Sequence, residues 1–439
     1  IIMGKKSQEY ILNYEKQELW IVNFFWLGYM IYIVAFTIST TEKVSYVLCN
    51  IFQIIGLITI VTTSAFLVQL RIENNYLRII FRIYFLWLIG ILLRGFALNY
   101  DFLKLMLFNP FESIFIYLTP LIILFRNQLL LLKRVFWAIV ILGIVFILFD
   151  IIFIKDLINP YYNLSSQSRV EYFSKTLSIP CGFILLTYIY HSNKRNYFAI
   201  LIISLTLFFA LIRARRGLAL LAFSSIIYSY LIYYSYSKNK LYKVAFFFLI
   251  LIFVTLAAVY FKNIVSYLGD NRITGWFVDR VGESTRSGVE EYFYNDMKPL
   301  DWIIGKGING QYFCPGVIVG EGTISVYRRG IETDFLNIIL KGGIISLGLK
   351  LLIAIPAMFL GFLKSKNLLS KASAIWIMIY LVFLYPSTVT SFTLSYILLW
   401  ISIGICYTKQ VREMSDDEIK GKIFDVEAVK LNNETKDHF

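Results

Sequence analysis

The sequence predicts an all-α polytopic membrane protein of about twelve transmembrane helices, with one large external loop between spans nine and ten. Three observations carry this. Hydrophobic residues fill 58% of the 439 positions and charged residues only 16%, far from the balance of a water-soluble domain. The mean hydropathy is +0.68. The apolar residues fall in runs of about 20, the length at which a helix crosses the hydrocarbon layer with its own backbone satisfied. The same composition excludes disorder, a collagen-like repeat and a disulfide scaffold. The chain is rich in Ile, Leu, Phe and Tyr, and its four Cys show no Cys-x-x-Cys spacing, so no structural disulfide or metal site is expected.

The expected spans are residues 20–38, 45–69, 78–98, 111–125, 135–154, 176–190, 197–212, 217–235, 244–261, 333–362, 372–386 and 389–407. Pro110 and Pro120 bracket or kink the fourth, and Pro386 turns the chain between the last two. Residues 1–261 thus hold the first nine helices, 262–331 the external loop, 332–408 the last three helices, and 409–439 a polar cytoplasmic tail. The first 19 residues are polar, so no cleavable signal peptide is expected and the first span acts as its own insertion signal.

Basic residues exceed acidic ones by a formal charge of +14. On a soluble chain this would raise nucleic acid as a partner; here the positive-inside rule accounts for it, and membrane lipid is the expected partner instead. With the N-terminus inside, the even-numbered connections carry the positive charge: Arg71, Arg78 and Arg82; Arg126, Lys133 and Arg134; Lys194 and Arg195; Lys238, Lys240 and Lys243; Lys364, Lys366 and Lys371. Both termini are then cytoplasmic. His191 and His438, the two histidines, fall on that side, so histidine chemistry is not expected on the outer face.

Two outer features break the regularity. The seventh connection is a tight hairpin with Arg213, Arg215 and Arg216. Guanidinium matches phosphate oxygens bidentately, so this cluster reads either as a site for an anionic lipid headgroup or as a headgroup anchor with structural pairing. Arg94, near the outer end of the third span, joins that site or pairs with Asp101 or Asp150. The ninth connection is the long loop, where Asp270, Arg272, Asp279, Arg280, Glu283, Arg286, Glu290 and Glu291 are interleaved with Trp276, Phe277, Tyr292, Phe293, Tyr294 and Trp302. Rings beside carboxylates suit sugars, whose C–H faces stack while their hydroxyls hydrogen-bond; the same rings equally suit amphipathic helices lying on a membrane. Gly305-Lys-Gly307-Ile-Asn-Gly310 lacks the Lys-Ser/Thr ending of a phosphate loop and reads as turns.

The tenth span opens with Glu332-Thr-Asp334-Phe-Leu-Asn337-Ile-Ile-Leu-Lys341-Gly342-Gly343. Asp334, Asn337 and Lys341 share one helical face. A carboxylate at a cavity mouth is a candidate general base, and an acidic helix start is its plainer reading.

In their order, these features resemble the bacterial O-antigen and capsule repeat-unit polymerases (Wzy type) and the related O-antigen ligases (WaaL type), over about 210–362. Arg215-Arg216-Gly217 resembles the family's turn opening a span, and Ser284-Thr-Arg286 its external-loop arginine. Ile304-Gly-Lys-Gly307 resembles its Gly-x-Gly turn, and Glu332 through Ile345 the motif opening the following span. In the ligases that last motif begins with a histidine; here the position is Glu332, which favours a polymerase and ranks Glu332 above Asp334 as base. The resemblance implies metal-independent, cofactor-free inverting glycosyl transfer on the outer face of the cytoplasmic membrane. Donor and acceptor would both be undecaprenyl-pyrophosphate-linked oligosaccharides, with a chain-length regulator and a flippase as partners. Arg216 and Arg286, aided by Arg213, Arg215 and Arg94, would hold the leaving pyrophosphate. Trp276, Tyr292, Tyr294, Trp302 and Asn337 would hold sugar. A ligase using the same donor is the nearer alternative. A lipid-linked oligosaccharide flippase is the more distant one, since the chain shows no internal repeat of the kind transporters carry.

Overall fold

The computed structural model describes residues 2–158, 164–213, 215–236, 285–315 and 326–424, and they are almost entirely helical. Among them, seven helices are long and apolar enough to cross a membrane, not the twelve the sequence predicts. These are α1 (Ile2–Ser39, apolar from Gln17), α2 (Tyr46–Leu67), α3 (Asn75–Leu93), α6 (Gln128–Ile152), α10 (Asn193–Ile212), α11 (Arg216–Tyr236) and α14 (Asp334–Leu363). Their outward faces are apolar, as at Ile54, Ile58 and Val61 of α2 and Ile79, Ile83 and Leu86 of α3. This is the surface a multi-pass membrane protein presents to lipid.

The shortfall has local causes. Expected span 111–125 is a short α5 (Phe115–Leu118) running into a 3-10 turn, Thr119–Leu124, that begins around Pro120. Expected span 176–190 is broken into a π turn (Ser174–Ser178), α9 (Cys181–Leu186) and a 3-10 turn (Tyr188–Tyr190), with Pro180 between the first two. The last two expected spans are α15 (Leu368–Phe383) and α16 (Leu394–Tyr407), apolar helices of 16 and 14 residues. Expected span 244–261 and two stretches of the expected external loop, 262–284 and 316–325, lie outside the described residues. The described part of that loop is built of secondary structure: α12 (Thr285–Asp296), α13 (Pro299–Ile304), and a two-residue pairing of β1 (Tyr312–Phe313) with β2 (Tyr327–Arg328).

The chain divides into two compact units, residues 1–145 with 290–439, and residues 146–289. In the first unit α15 and α16 are central: every residue of α16 but Ser395 is buried, and Trp400 is wholly enclosed. Backbone ties define its two ends. At one end Phe392 N donates to Pro110 O (2.7 Å), Phe335 N to Leu384 O (3.0 Å) and Ile308 N to Arg94 O (3.0 Å). At the other, Gln69 N donates to Leu124 O (2.8 Å) and Arg126 N to Leu67 O (3.1 Å). There too, α17 (Lys409–Glu413) folds back so that Lys366 N reaches Arg412 O (2.8 Å). A last short helix, α18 (Asp416–Phe424), follows, and Asp416 accepts from Leu368 N at 2.7 Å.

The second unit contains α8 (Leu164–Phe173), which runs straight into the π turn and α9, and the α10–α11 hairpin packed against them. Thr206 Oγ1 of α10 donates to Ser178 Oγ of the π turn at 2.7 Å, pinning the two together.

Candidate functional site

In the first unit, α14 opens beside the segment 290–313 and is interrupted nine residues in. Gly343 has φ 68° and ψ −179°, a conformation L side chains rarely adopt. The break frees the carbonyls of Leu340, Lys341 and Gly342, and each receives a donor from elsewhere in the chain. Lys306 N reaches Leu340 O at 2.7 Å, Gly307 N reaches Lys341 O at 2.9 Å, and Trp87 Nε1 reaches Gly342 O at 2.9 Å. The Gly-Lys-Gly turn is therefore a plug for a broken helix, which agrees with reading it as turns rather than as a phosphate loop. The approach demands glycine: a Cβ on Gly343 would lie 2.0 Å from Ile303 O, and one on Gly307 2.0 Å from Arg94 O.

Arg94 serves the same joint. Its Nη2 donates to Ile304 O (2.6 Å) and its Nη1 to Gly305 O (3.2 Å), capping α13, while the guanidinium sits 5.5 Å from the Trp87 ring centre. The expected pairing with Asp101 or Asp150 is not made. Arg94 holds the plug instead.

Of the two candidate bases, Asp334 is 1% exposed and Glu332 is exposed. Asp334 Oδ2 accepts from Thr390 N at 2.8 Å. Lys350, 3% exposed on the far side of the Gly343 break, donates to Tyr380 Oη (2.9 Å) and Thr390 Oγ1 (3.4 Å), and its ammonium lies 5.2 Å from the Tyr396 ring centre. Thr390 thus joins two buried charges that belong to opposite arms of one broken helix. Asn337 is committed too, its Oδ1 accepting from Ile331 N (2.6 Å) and its Nδ2 donating to Ile331 O. Lys341 Nζ holds Gly310 O at 2.7 Å.

Glu332 and a shelf of rings are open to solvent at this end. Tyr294 stacks on Trp302 (centroids 6.0 Å, planes 6° apart), Phe335 stacks on Tyr385 (6.3 Å, 16°), and Tyr292, Tyr294 and Tyr385 are exposed. A second carboxylate, Glu290, accepts from Thr333 Oγ1, between Glu332 and Asp334. Partial burial, then the Glu290 charge, then Tyr385 hold the Tyr294 phenol above its usual range. Trp276 lies outside the described residues, and so does the Arg286 side chain, on the first turn of α12.

In the second unit the arginine hairpin is not a bare cluster. Arg213 caps α10 and is fully buried, Arg216 begins α11 and is exposed, and Arg215 Nη1 pairs with Glu171 Oε2 at 3.2 Å. The other oxygen of Glu171 takes Lys175 Nζ at 2.6 Å. Glu171 and Lys175 were not among the residues the sequence singled out. The signal was present, for Glu171 is the only acidic residue between Asp156 and Asp270. Lys350, Thr390 and Tyr380 were missed as well, although a lysine inside an apolar span marks a site by default.

No protein-family model, curated protein or solved structure matches this chain.

Proposed function

We propose that this chain is a membrane-embedded polymerase of lipid-linked glycans. It would be an inverting glycosyltransferase moving a growing glycan from undecaprenyl pyrophosphate onto the non-reducing end of a lipid-linked repeat unit, at the outer face of a bacterial cytoplasmic membrane. The observation that carries the reading is that an exposed carboxylate, Glu332, adjoins Thr333, which donates to Glu290, at the same end of an apolar bundle as the stacked ring pairs Tyr294–Trp302 and Phe335–Tyr385. Arg71, Arg126, Lys364, Lys366 and Arg412 gather at the opposite end, which supports a cytoplasmic assignment for that end and an external one for the carboxylates.

In this scheme Glu332 takes the proton of the acceptor hydroxyl as that oxygen forms the new glycosidic bond and the bond to the lipid pyrophosphate breaks. The charge growing on the departing pyrophosphate calls for guanidinium groups, and Arg213, Arg215, Arg216 and Arg286 are those the sequence offers for it. The rings hold sugar by stacking. Asp334, enclosed by Thr390, positions the start of α14 and with it Glu332.

The test uses purified full-length protein and lipid-linked repeat units. Glu332→Gln is expected to abolish polymer without loss of thermal stability, and Arg216→Ala or Arg286→Ala to reduce it at least about a hundredfold, as loss of one oxyanion donor does. Full-length polymer from Glu332→Gln would reject the assignment of the base. No polymer from the wild type under these conditions would reject the reading itself.

A further inference from the structure

We propose that Glu171 is an internal counter-ion occupying a diphosphate pocket, and that Lys175 is a cation of that pocket alongside Arg215, Arg213 and Arg216. The inference rests on the pyrophosphate-binding part of the function proposed above and identifies what fills the site when no ligand is bound.

The carboxylate spans two cations, one per oxygen, at 2.6 Å to Lys175 and 3.2 Å to Arg215, the bridging arrangement a phosphate group makes. Lys175 is placed by the π turn Ser174–Ser178, whose extra residue per turn rotates the side chains that follow. Such turns are enriched at binding sites. The Thr206–Ser178 bond and the Arg215–Glu171 pair fix the register of α10 against the π turn, and Arg213 lies between these two tie points along the chain.

Charge balance favours exchange over a permanent pair. One carboxylate is shared between two cations, Lys175 and Arg215, and the sequence offers no other acidic residue from 157 to 269. A diphosphate brings more negative charge than a carboxylate and binds guanidinium through paired oxygens. Access is graded: Lys175 is 6% exposed, whereas Glu171 and Arg215 are each 27% exposed, so the carboxylate and the guanidinium are the more accessible members of the cluster. The hairpin joins the ends of two candidate membrane spans, α10 and α11.

The same chemistry is offered by a free diphosphate, by a polyprenyl pyrophosphate and by an anionic phospholipid. The experiment separates them, using full-length protein in zwitterionic nanodiscs with inorganic pyrophosphate, undecaprenyl pyrophosphate or phosphatidylglycerol, read by titration and by thermal shift. Glu171→Gln removes the competitor, and the expected result is a lower melting temperature without ligand, with pyrophosphate binding about tenfold tighter than wild type. Lys175→Gln and Arg215→Lys are expected to weaken it about tenfold or more, the second keeping the charge while losing the fork. Phosphatidylglycerol is expected to leave all variants indifferent to these changes.

A Glu171→Gln protein that is destabilised yet binds pyrophosphate no tighter would overturn the proposal, leaving Glu171 a structural partner. Equal sensitivity to phosphatidylglycerol would overturn the diphosphate assignment in favour of a headgroup anchor. Loss of pyrophosphate binding alongside normal polymer synthesis would sink this inference alone. The expected binding pattern with no polymer would sink the polymerase reading alone.

Discussion

The amide of Gly307 donates to the carbonyl of Lys341 at 2.9 Å, so the turn that precedes α14 in the chain completes the hydrogen bonding of a candidate membrane helix. In hydrocarbon an unmet carbonyl costs several kcal/mol, and three are freed at the Gly343 break.

Gly343→Ala forces a Cβ to within 2.0 Å of Ile303 O in a left-handed backbone, whereas a Cβ on Gly348, five residues on, meets nothing within 4 Å. The first substitution should abolish monodisperse protein in size-exclusion chromatography. The second should leave it intact and raise stability by about 0.5–1 kcal/mol through helix propensity. Equal behaviour of the pair would refute the plug.

Arg94→Lys preserves charge and loses the two-carbonyl cap of α13 and the contact with Trp87. Stability should fall by about 1–3 kcal/mol. Limited proteolysis within 299–313 should quicken in parallel, which distinguishes loosening of the plug from general destabilisation.

Asp334→Asn and Lys350→Met each strand a buried charge, at a cost of about 3–5 kcal/mol. The double variant should cost well below the sum, because Thr390 couples the two sites. A thermal-unfolding double-mutant cycle measures this, and strict additivity would uncouple the two arms of α14.

Burial and the neighbouring Arg195 push the His191 imidazole down to about 3 from 6.5. The neutral form is therefore the one the fold keeps. Its contribution is complete above pH ~6.5 and is lost as pH falls toward the folded value. His191→Gln should flatten melting temperature against pH between about 6.5 and 4; an unchanged slope would place the acid sensitivity elsewhere.

Much of the fold was readable from apolar run length, and the long spans 20–38, 45–69, 197–212, 217–235 and 333–362 are close to helices in the structure. What misled was counting every apolar run as a crossing. Burial inside a bundle and burial in lipid have the same composition, so α15 and α16, which are largely enclosed by protein, were counted as crossings although 372–386 is only 15 residues. The π turn and Pro180 divided another run. Among site residues, the helical spacing of Asp334, Asn337 and Lys341 was sound, yet all three fasten backbone. A shared face says which residues meet something. It does not say whether that something is substrate or the protein's own loop. Thr390 could not have been found by spacing, since it lies 56 residues from Asp334 in the chain.

The order of synthesis acquires meaning from the Gly343 break. Trp87, Arg94 and the Gly305–Gly307 turn all precede α14 in the chain, so the donors that complete it exist before the helix leaves the ribosome. Insertion of that final long helix is then a docking event onto a prepared surface, and removal of residues 299–310 would deprive a downstream segment of its membrane competence without altering one of its own residues.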